Sequence, residues 1–477
     1  MKFLKYSCLF LFAGIFLNSC FTDNDDVFNN ASVQEINEFI WRGMNTFYLY
    51  KADVPDLAND RFSSSQERAN FLSNFSTPEI AFDALLSKEI DQASGLKVDE
   101  FSFLVDDYIE LEQSLDGITK NNGMEYGLAR YPNHASNVFG YVRYVLPNTD
   151  AAAKGIKRGD IFSTIDGTQI TDSNFRELLA PDTYAIGLAD FDGNTVTPTD
   201  TSITLTKVQY TENPVFLCKT LDVGGNPVGY LMYNGFTANF DTQLNDAFGK
   251  FVTDGITDLV LDLRYNGGGS VISAIDLSSM ITGQFNGQVF STEEWNADRQ
   301  DQFGDTNLFD NEIRTGANIN SVNLTKVYVL TTGSSASASE LVINGLDPYI
   351  DVIQVGVNTS GKFQASITLY DSSNFGRTGV NTGHTYAIQP LVLRSLNADG
   401  VTDYFGGFTP EIEVSEDFSN LGVLGDPNET LLKAAIDDIL NGKKSRKQNF
   451  RGLEIVGNSN MFDPTYERMY KEPTTKE

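Results

Sequence analysis

Residues 326–346 read Lys326-Val-Tyr-Val-Leu-Thr-Thr-Gly-Ser-Ser-Ala-Ser-Ala-Ser-Glu-Leu-Val-Ile-Asn-Gly-Leu346, the pattern of a buried strand, a run of small residues and a helix. Apolar and β-branched residues alternate over 326–330, and apolar residues recur at helical spacing from Leu341. Small residues at a strand-to-helix turn let a hydroxyl stand clear of its neighbours and leave helix-start amides free to stabilise negative charge. A serine-rich helix N-cap is the plainer interpretation of these residues by themselves.

A second stretch, Val355-Gly-Val-Asn-Thr-Ser-Gly-Lys362, follows an apolar strand and ends in a lysine. The chain has only two histidines, His134 and His384, and neither lies near a serine or acidic motif typical of a Ser-His-Asp set. A lysine is therefore the better candidate base for a nucleophilic serine. The 25 residues from Ser337 to Lys362 are enough for a helix and a return strand that bring the two together.

The two motifs Ser335-Ala-Ser-Ala-Ser-Glu340 and Gly356-x-x-Thr-x-Gly-Lys362 together resemble the carboxyl-terminal processing (tail-specific) peptidases, the S41 serine peptidase family. The resemblance implies that Ser337 is the nucleophile and that Lys362 is its base. It also implies an α/β (α+β) multidomain fold with a peptidase core of the ClpP/crotonase-like type and polypeptide substrates. No metal site and no cofactor are predicted.

Residues 259–269 read Leu259-Val-Leu-Asp-Leu-Arg-Tyr-Asn-Gly-Gly-Gly269, an apolar strand that runs into three glycines. Glycines let the backbone approach a ligand closely and point amides at it. The stretch lacks the Lys-Ser/Thr of a P-loop and the spaced glycines of a dinucleotide site. The family resemblance implies an oxyanion hole from Gly268 or Gly269, with the amide of Ala338 as second donor. The arginine and asparagine of this turn are predicted to brace it.

The base must be neutral to accept a proton, whereas a free lysine titrates near ~10.4. Burial among apolar residues can lower a lysine pKa by the roughly 3 units required, and the residues flanking Lys362 are largely apolar. Glu340 follows Ser337 by three residues, so a helix places both on one face; it orients the lysine or caps the helix. Many family members carry a glutamine four residues after the lysine. Here that position is Ser366, and Gln364 is the alternative lysine-orienting residue.

Residues 119–209 switch to short strands and contain Pro147-Asn-Thr-Asp-Ala-Ala-Ala-Lys-Gly-Ile-Lys-Arg-Gly-Asp-Ile161, which resembles a PDZ domain. Such domains add a peptide strand to a sheet edge and capture its terminal carboxylate on backbone amides. The corresponding carboxylate-binding loop is Tyr126, Gly127, Leu128 and Ala129. Because this loop departs from Gly-Leu-Gly-Phe, it is predicted either to bind peptide or to be purely structural.

The chain has 477 residues, with 34 Lys+Arg against 64 Asp+Glu and a net charge of −30. This balance excludes nucleic acid as a partner and argues against adhesion to anionic lipid. Residues 1–19 form a short basic and apolar secretory signal that ends in Leu-Asn-Ser before Cys20. The site resembles a bacterial lipoprotein cleavage site, which predicts a lipid anchor at Cys20 and a place in the bacterial cell envelope. After removal of Cys8 and acylation of Cys20, only Cys218 remains, as a buried apolar filler.

The remaining divisions are an acidic tether at 20–32, a helical N-terminal domain at 33–118, a peptidase domain at 210–442 and a solvated C-terminal extension at 443–477. The family resemblance implies a serine endopeptidase that cleaves unstructured or C-terminal protein segments. A peptide-binding lipoprotein that keeps the fold without turnover is the alternative. A hydrolase with a histidine-based triad is a third and weaker interpretation.

Overall fold

The computed structural model describes residues 31–442 and 452–471. The predicted signal, the lipidation site at Cys20 and most of the acidic tether lie outside the described residues. Within the described ranges, no helix combines the length and apolarity needed to cross a bilayer.

The N-terminal region is helical, as its apolar spacing predicts. Its longest helix begins at Ser32, whose side chain accepts from the amide of Glu35 while the Glu35 carboxylate accepts from the amide of Ser32. The apolar stripe of this helix is buried and belongs to the main core. The elements are α1 (Val33–Phe47), α2 (Ser65–Leu72), α3 (Pro78–Ala84), β1 (Phe103–Val105) and α4 (Tyr108–Leu115).

A β-rich region follows, and its strands lie where the alternating sequence predicts them. The elements are β2 (Ile118–Asn121), β3 (Met124–Arg130), β4 (Val138–Val145), α5 (Asp150–Ala153), β5 (Ile161–Ile165), β6 (Thr168–Gln169), α6 (Phe175–Leu179), β7 (Thr183–Phe191), β8 (Val196–Thr206) and β9 (Val208–Thr211). Strands β3, β4, β5, β7 and β8 are neighbours in one antiparallel sheet with a separate apolar core.

The α/β core contains two six-stranded sheets. Its elements are β10 (Val215–Val223), β11 (Asn226–Tyr233), α7 (Asp241–Asp254), β12 (Asp258–Asp262), β13 (Gly269–Ser270), α8 (Val271–Thr282), β14 (Val289–Trp295), α9 (Gln300–Phe303), β15 (Thr306–Leu308), β16 (Lys326–Thr331), α10 (Ala338–Leu346), β17 (Asp351–Gly356), β18 (Gln364–Ser366), β19 (Leu369–Tyr370), β20 (Ala387–Gln389), β21 (Leu391–Asn397), β22 (Ile412–Glu413) and α11 (Thr430–Asn441). After the core come β23 (Ile455–Asn458) and β24 (Met469–Tyr470).

The first core sheet has the order β10-β11-β12-β16-β17-β22 and is parallel from β11 onward. Because β12 and β16 are parallel neighbours, their carboxyl ends meet at the same edge. The glycine turn leaves β12 there, and the small-residue turn leaves β16 beside it. The second sheet has the order β13-β24-β18-β21-β14-β15.

Two sequence expectations about the C-terminal residues and the PDZ-like loop are wrong. Residues 452–471 are not a solvated extension, because Met469 and Tyr470 are buried in the second core sheet. Residues 126–129 are not a loop, because they lie within β3 and pair with β23 on the edge away from β4. Both errors concern strand pairing between residues more than 100 positions apart, which no local pattern reports. Cys218 is half-buried against the core rather than fully buried.

Candidate active site

Ser337 occupies the turn between β16 and α10. It precedes the first helical residue and has φ 66° and ψ −116°, a backbone conformation that L side chains rarely adopt. Such a conformation costs on the order of 1–3 kcal/mol and persists only where the surroundings hold it. The residue is fully buried, and among the described residues its Oγ has no hydrogen-bond partner. The fold therefore presents a strained, unpaired hydroxyl at the amino end of a helix.

The glycine turn after β12 packs directly against this serine. A Cβ at Gly268 would lie 2.6 Å from the Ser337 Cβ and 2.8 Å from its Oγ, so no side chain fits there. Gly268 and Gly269 have φ of 111° and 135°, which also favours glycine. Close approach between the turn and the serine thus depends on the glycines that the sequence marks.

Asn266 braces the turn, as predicted. Its Nδ2 donates to the carbonyl of Tyr233 (2.9 Å), and its Oδ1 accepts from the amide of Gly268 (2.9 Å). Its own carbonyl accepts from the amide of Ala336 (3.1 Å), which joins the glycine turn to the serine turn. The amide of Ala338 is the first of its helix and has no intrahelical acceptor.

Arg264 braces the same turn through charge. The side chain is fully buried and contacts the carboxylates of Asp262, Glu416 and Glu429 at 2.8, 3.2 and 2.6 Å. Burial raises the pKa of Glu416, but Arg158 and Arg264 outweigh that effect and lower it to about 2. Arg264 therefore lies in a paired cluster of buried charges.

Lys362 lies beyond the end of β17 and is fully buried. Its Nζ donates to the backbone carbonyl of Glu467 at 2.9 Å and lies 5.1 Å from the ring centre of Phe101. No ion pair of Lys362 and no hydrogen bond from it to Ser337 occurs among the described residues. Burial lowers the pKa of Lys362 well below its usual range, and the charge of Arg468 lowers it further. The site thus holds a buried amine for which the neutral form is favoured.

Glu340 joins the two predicted catalytic segments. Its Oε2 accepts from the amides of Ser337 and Lys362, both at 2.8 Å, and its Oε1 accepts from the amide of Gly361 at 2.6 Å. Burial raises the pKa of Glu340 to about 7, against the lowering effect of a hydrogen bond with Thr359 and of these amides. Glu340 therefore fixes the lysine backbone rather than the amine, and it caps α10 as well.

The other predicted lysine partner points elsewhere. The Nε2 of Gln364 donates to the hydroxyl of Tyr50 at 2.8 Å, in the N-terminal region. Ser366 donates to Gln389 at 2.8 Å. A lysine-orienting role for Gln364 stays a prediction that rests on sequence alone.

Sequence reasoning missed three neighbours of the lysine. Phe101 comes from the N-terminal region, and Glu467 and Arg468 come from the C-terminal residues. None of them lies in a motif or near the lysine in sequence. Only their tertiary placement identifies them.

The arrangement of a strained serine at a helix start, a glycine turn against it and a buried amine is that of a serine hydrolase site built on an α/β core. The family models agree: "Peptidase family S41" matches residues 227–404, and "Peptidase S41 N-terminal domain" matches residues 35–103. The chain belongs to peptidase family S41. Neither matched range includes the β-rich region, so its PDZ character stays a prediction.

Individual relatives point the same way. The chain is 28% identical over 225 residues to a carboxyl-terminal-processing protease of Picosynechococcus. This match covers 46% of this chain and 49% of the relative. It is 26% identical over 326 residues to a carboxy-terminal-processing protease of Bartonella bacilliformis, covering 65% and 66%. The chain thus spans about half of the first of these curated relatives and about two thirds of the second.

A solved structure from Bacteroides fragilis, described as an S41 protease, is similar over most of its length. It is 27% identical, with a TM-score of 0.65, and the match covers 85% of this chain and 97% of that one. The mixed α/β fold with a helical N-terminal region is therefore confirmed.

Proposed function

We propose that this chain is a serine endopeptidase that cleaves unstructured or C-terminal polypeptide segments with Ser337 as nucleophile and Lys362 as general base. The observation that carries the proposal is that Glu340 holds the backbone amides of Ser337 and Lys362 together. The Ser337 hydroxyl is buried without a partner, and the Lys362 amine is buried with its neutral form favoured. A neutral amine can accept the serine proton, whereas an ammonium cannot.

In the proposed reaction, Ser337 attacks the scissile carbonyl while Lys362 accepts its proton. The amide of Ala338 and an amide of the glycine turn hold the oxyanion. The glycine donor is either Gly268, whose amide donates to Asn266 in this structure, or Gly269, which is paired with Met469. Lys362 then gives the proton to the leaving amine, and water releases the acyl-enzyme.

The substrate side of the proposal includes the β-rich region. The edge of β3 at Gly127–Ala129, which β23 occupies in this structure, would take up an extended peptide as an added strand once β23 leaves it, as a PDZ-like module does. A lipid anchor at Cys20 would hold the enzyme in the bacterial cell envelope, where polypeptides are its partners.

Three variants and one reagent test the catalytic assignment. Ser337→Ala should lower cleavage of a fluorogenic unstructured peptide by at least about 10³-fold, and Lys362→Ala by about 10²–10⁴-fold. Lys362→Arg should not restore activity, because a guanidinium stays charged. A fluorophosphonate should label Ser337 in the parent chain and not in Ser337→Ala. Cleavage by Ser337→Ala at the parent rate would refute the assignment.

A peptide-binding protein without turnover is the second candidate. The observation that favours it is the Lys362 Nζ, which contacts the Glu467 carbonyl and not the serine. Tight binding of unstructured peptide without fluorophosphonate labelling would support this candidate over the peptidase.

A further inference from the structure

The C-terminal segment, defined as residues 452–471, crosses the β-rich region and then the candidate active site. Its first strand, β23, pairs antiparallel with β3, so that Asn458 is opposite Gly127. Around this ladder, the amide of Arg130 donates to the carbonyl of Glu454 at 2.9 Å. The segment thus covers the sheet edge that the proposed function assigns to a peptide substrate.

Farther along, β24 lies between the glycine turn and the lysine segment. Met469 is the parallel partner of Gly269, and Tyr470 is the parallel partner of both Ser270 and Ser366. The amide of Lys471 donates to the carbonyl of Ser366 at 3.0 Å. A single extended chain therefore fills the gap between the predicted oxyanion strand and the strand that follows the predicted base.

The peptide carbonyl of Arg468 lies beside Gly268, the glycine that packs against the nucleophile. Its oxygen lies 2.7 Å from the position where Gly268 lacks a Cβ, and the Ser337 Oγ lies 2.8 Å from the same position. Both oxygens therefore converge on Gly268. A substrate carbonyl attacked by Ser337 would also have to lie near this glycine.

Two features separate this arrangement from a reactive one. Lys362 donates to the carbonyl of Glu467, and among the described residues it makes no hydrogen bond with the Ser337 hydroxyl. Glu467 has φ 53°, so the chain turns just before Arg468 instead of running extended through the site.

Side-chain contacts hold the segment in place on both sides of the turn. Arg468 donates to the carbonyl of Phe101 at 2.9 Å and lies 4.2 Å from the ring centre of Phe103. The Lys471 Nζ contacts both carboxylate oxygens of buried Glu293 at 2.8 Å. These contacts favour a resident segment over one that is cut and lost.

We propose that residues 452–471 are an intramolecular inhibitor that takes the path of a peptide substrate and is not cleaved. The inference rests on the proposed function, since the path it fills is that of the proposed substrate. It also assigns the mode of substrate binding: an antiparallel strand on β3, then a parallel strand between β13 and β18. Productive substrates must displace the segment.

A pair of full-length variants tests the inhibition. Glu467→Pro cannot adopt φ 53°, whereas Glu467→Gly adopts it without strain and serves as the matched control. The proline variant should cleave a fluorogenic unstructured peptide with at least tenfold higher kcat/KM, mostly through a lower KM, and the glycine variant should match the parent. A synthetic peptide of residues 452–471 should inhibit the proline variant competitively, and a scrambled peptide should not. An unchanged or lower kcat/KM in a folded proline variant overturns the proposal.

Hydrogen exchange in full-length Ser337→Ala tests displacement without relying on the proline variant. A saturating unstructured peptide should remove protection from the amides of 455–458 and 469–471. Unchanged protection at saturation overturns the proposal. Intact mass spectrometry of both chains supplies one more outcome. If the parent chain is cut after Arg468 and the Ser337→Ala chain is not, the segment is a substrate and the proposal that it is an inhibitor is overturned.

The two proposals fail in different ways. If neither the parent nor the proline variant labels with fluorophosphonate or cleaves peptide, the peptidase assignment fails. In that case, loss of hydrogen-exchange protection on adding peptide would still support competition between the peptide and the C-terminal segment for one binding path. If the parent labels and cleaves but the proline variant shows no gain, only the inhibitory segment is refuted.

Discussion

Arg264 and Lys362 are both fully buried basic side chains at the same edge of the first core sheet, yet their surroundings are opposite. Arg264 contacts three carboxylates, and its pKa lies well above the usual value although burial acts to lower it. Lys362 contacts one backbone carbonyl and an aromatic ring, and its pKa is lowered by burial. The buried ion pairs of Arg264 hold the turn in place. Lys362 is buried without a carboxylate, which favours the neutral amine that a general base requires.

The largest expected effect is a loss of peptide cleavage when Lys362, the buried basic residue without a carboxylate partner, is replaced. Lys362→Met keeps the length and apolar stem but removes the amine, so peptide cleavage should fall by about 10³–10⁴-fold. The free energy of unfolding should stay the same or rise, because the variant no longer has to deprotonate and desolvate an amine on folding. Steady-state kinetics and urea denaturation measure the two quantities.

The pH dependence of the parent chain checks the same point. Because the folded pKa of Lys362 is lowered, kcat/KM should rise with pH through a midpoint below the usual lysine value of ~10.4. The folded chain binds fewer protons at this site than the unfolded chain between those two pKa values. The Lys362 contribution to stability therefore increases with pH in that window and should be absent in Lys362→Met.

At the paired cation the expected effect is on stability. Arg264→Met leaves Asp262, Glu416 and Glu429 without their shared cation and should cost about 3–5 kcal/mol in the free energy of unfolding. Lys433→Met, which breaks a half-exposed pair with Asp437, is the matched control and should cost less than about 0.5 kcal/mol. Urea denaturation followed by far-UV circular dichroism measures both, and equal small losses would contradict the structural role.

A smaller effect is expected where a buried carboxylate joins the two catalytic segments. Glu340→Gln turns one acceptor oxygen into a donor that faces backbone amides, so stability should fall by about 1–3 kcal/mol and cleavage should fall with it. Glu35→Gln is the control, since that capping carboxylate is exposed and should cost only a few tenths of a kcal/mol. Thermal unfolding and kcat/KM are the measurements; a pair of variants with equal Tm would argue against the linking role.

The smallest effect is expected beside a cavity of about 670 Å³ between the β-rich region, the glycine turn and the C-terminal segment. Burial and the neighbouring Glu125 raise the pKa of Glu212 to about 8. Its protonated form is favoured in the folded chain, so its contribution to stability is lost as pH rises from the usual glutamate range to about 8.

Glu212→Gln keeps the acceptor for Asn234 and should therefore be more stable than the parent above pH 8, by about 1 kcal/mol, and equal to it near pH 4. The side chain is half-buried beside the cavity, which keeps the gain small. Thermal unfolding at the two pH values measures the difference; a constant difference across pH would exclude titration of this carboxyl as its cause.

The sequence by itself determined the site elements that are local. Small residues between 331 and 339, the glycines after residue 266 and the lysine after Gly361 each follow a strand whose apolar pattern is readable, and parallel strands bring their carboxyl ends together. These residues lie where the motifs place them, and the family is the one they resemble. The mixed α/β fold follows from the same alternation of strands and helices.

Only the tertiary structure decided what surrounds those residues. The pairing of 455–458 with β3, the insertion of 469–470 between two core strands and the contact of Lys362 with Glu467 all join positions more than 100 residues apart. Strand pairing of this kind uses backbone groups that every residue carries, so the sequence bears no local mark of it. The charge state of the lysine depends on the same long-range packing, because burial and the position of Arg468 set its pKa.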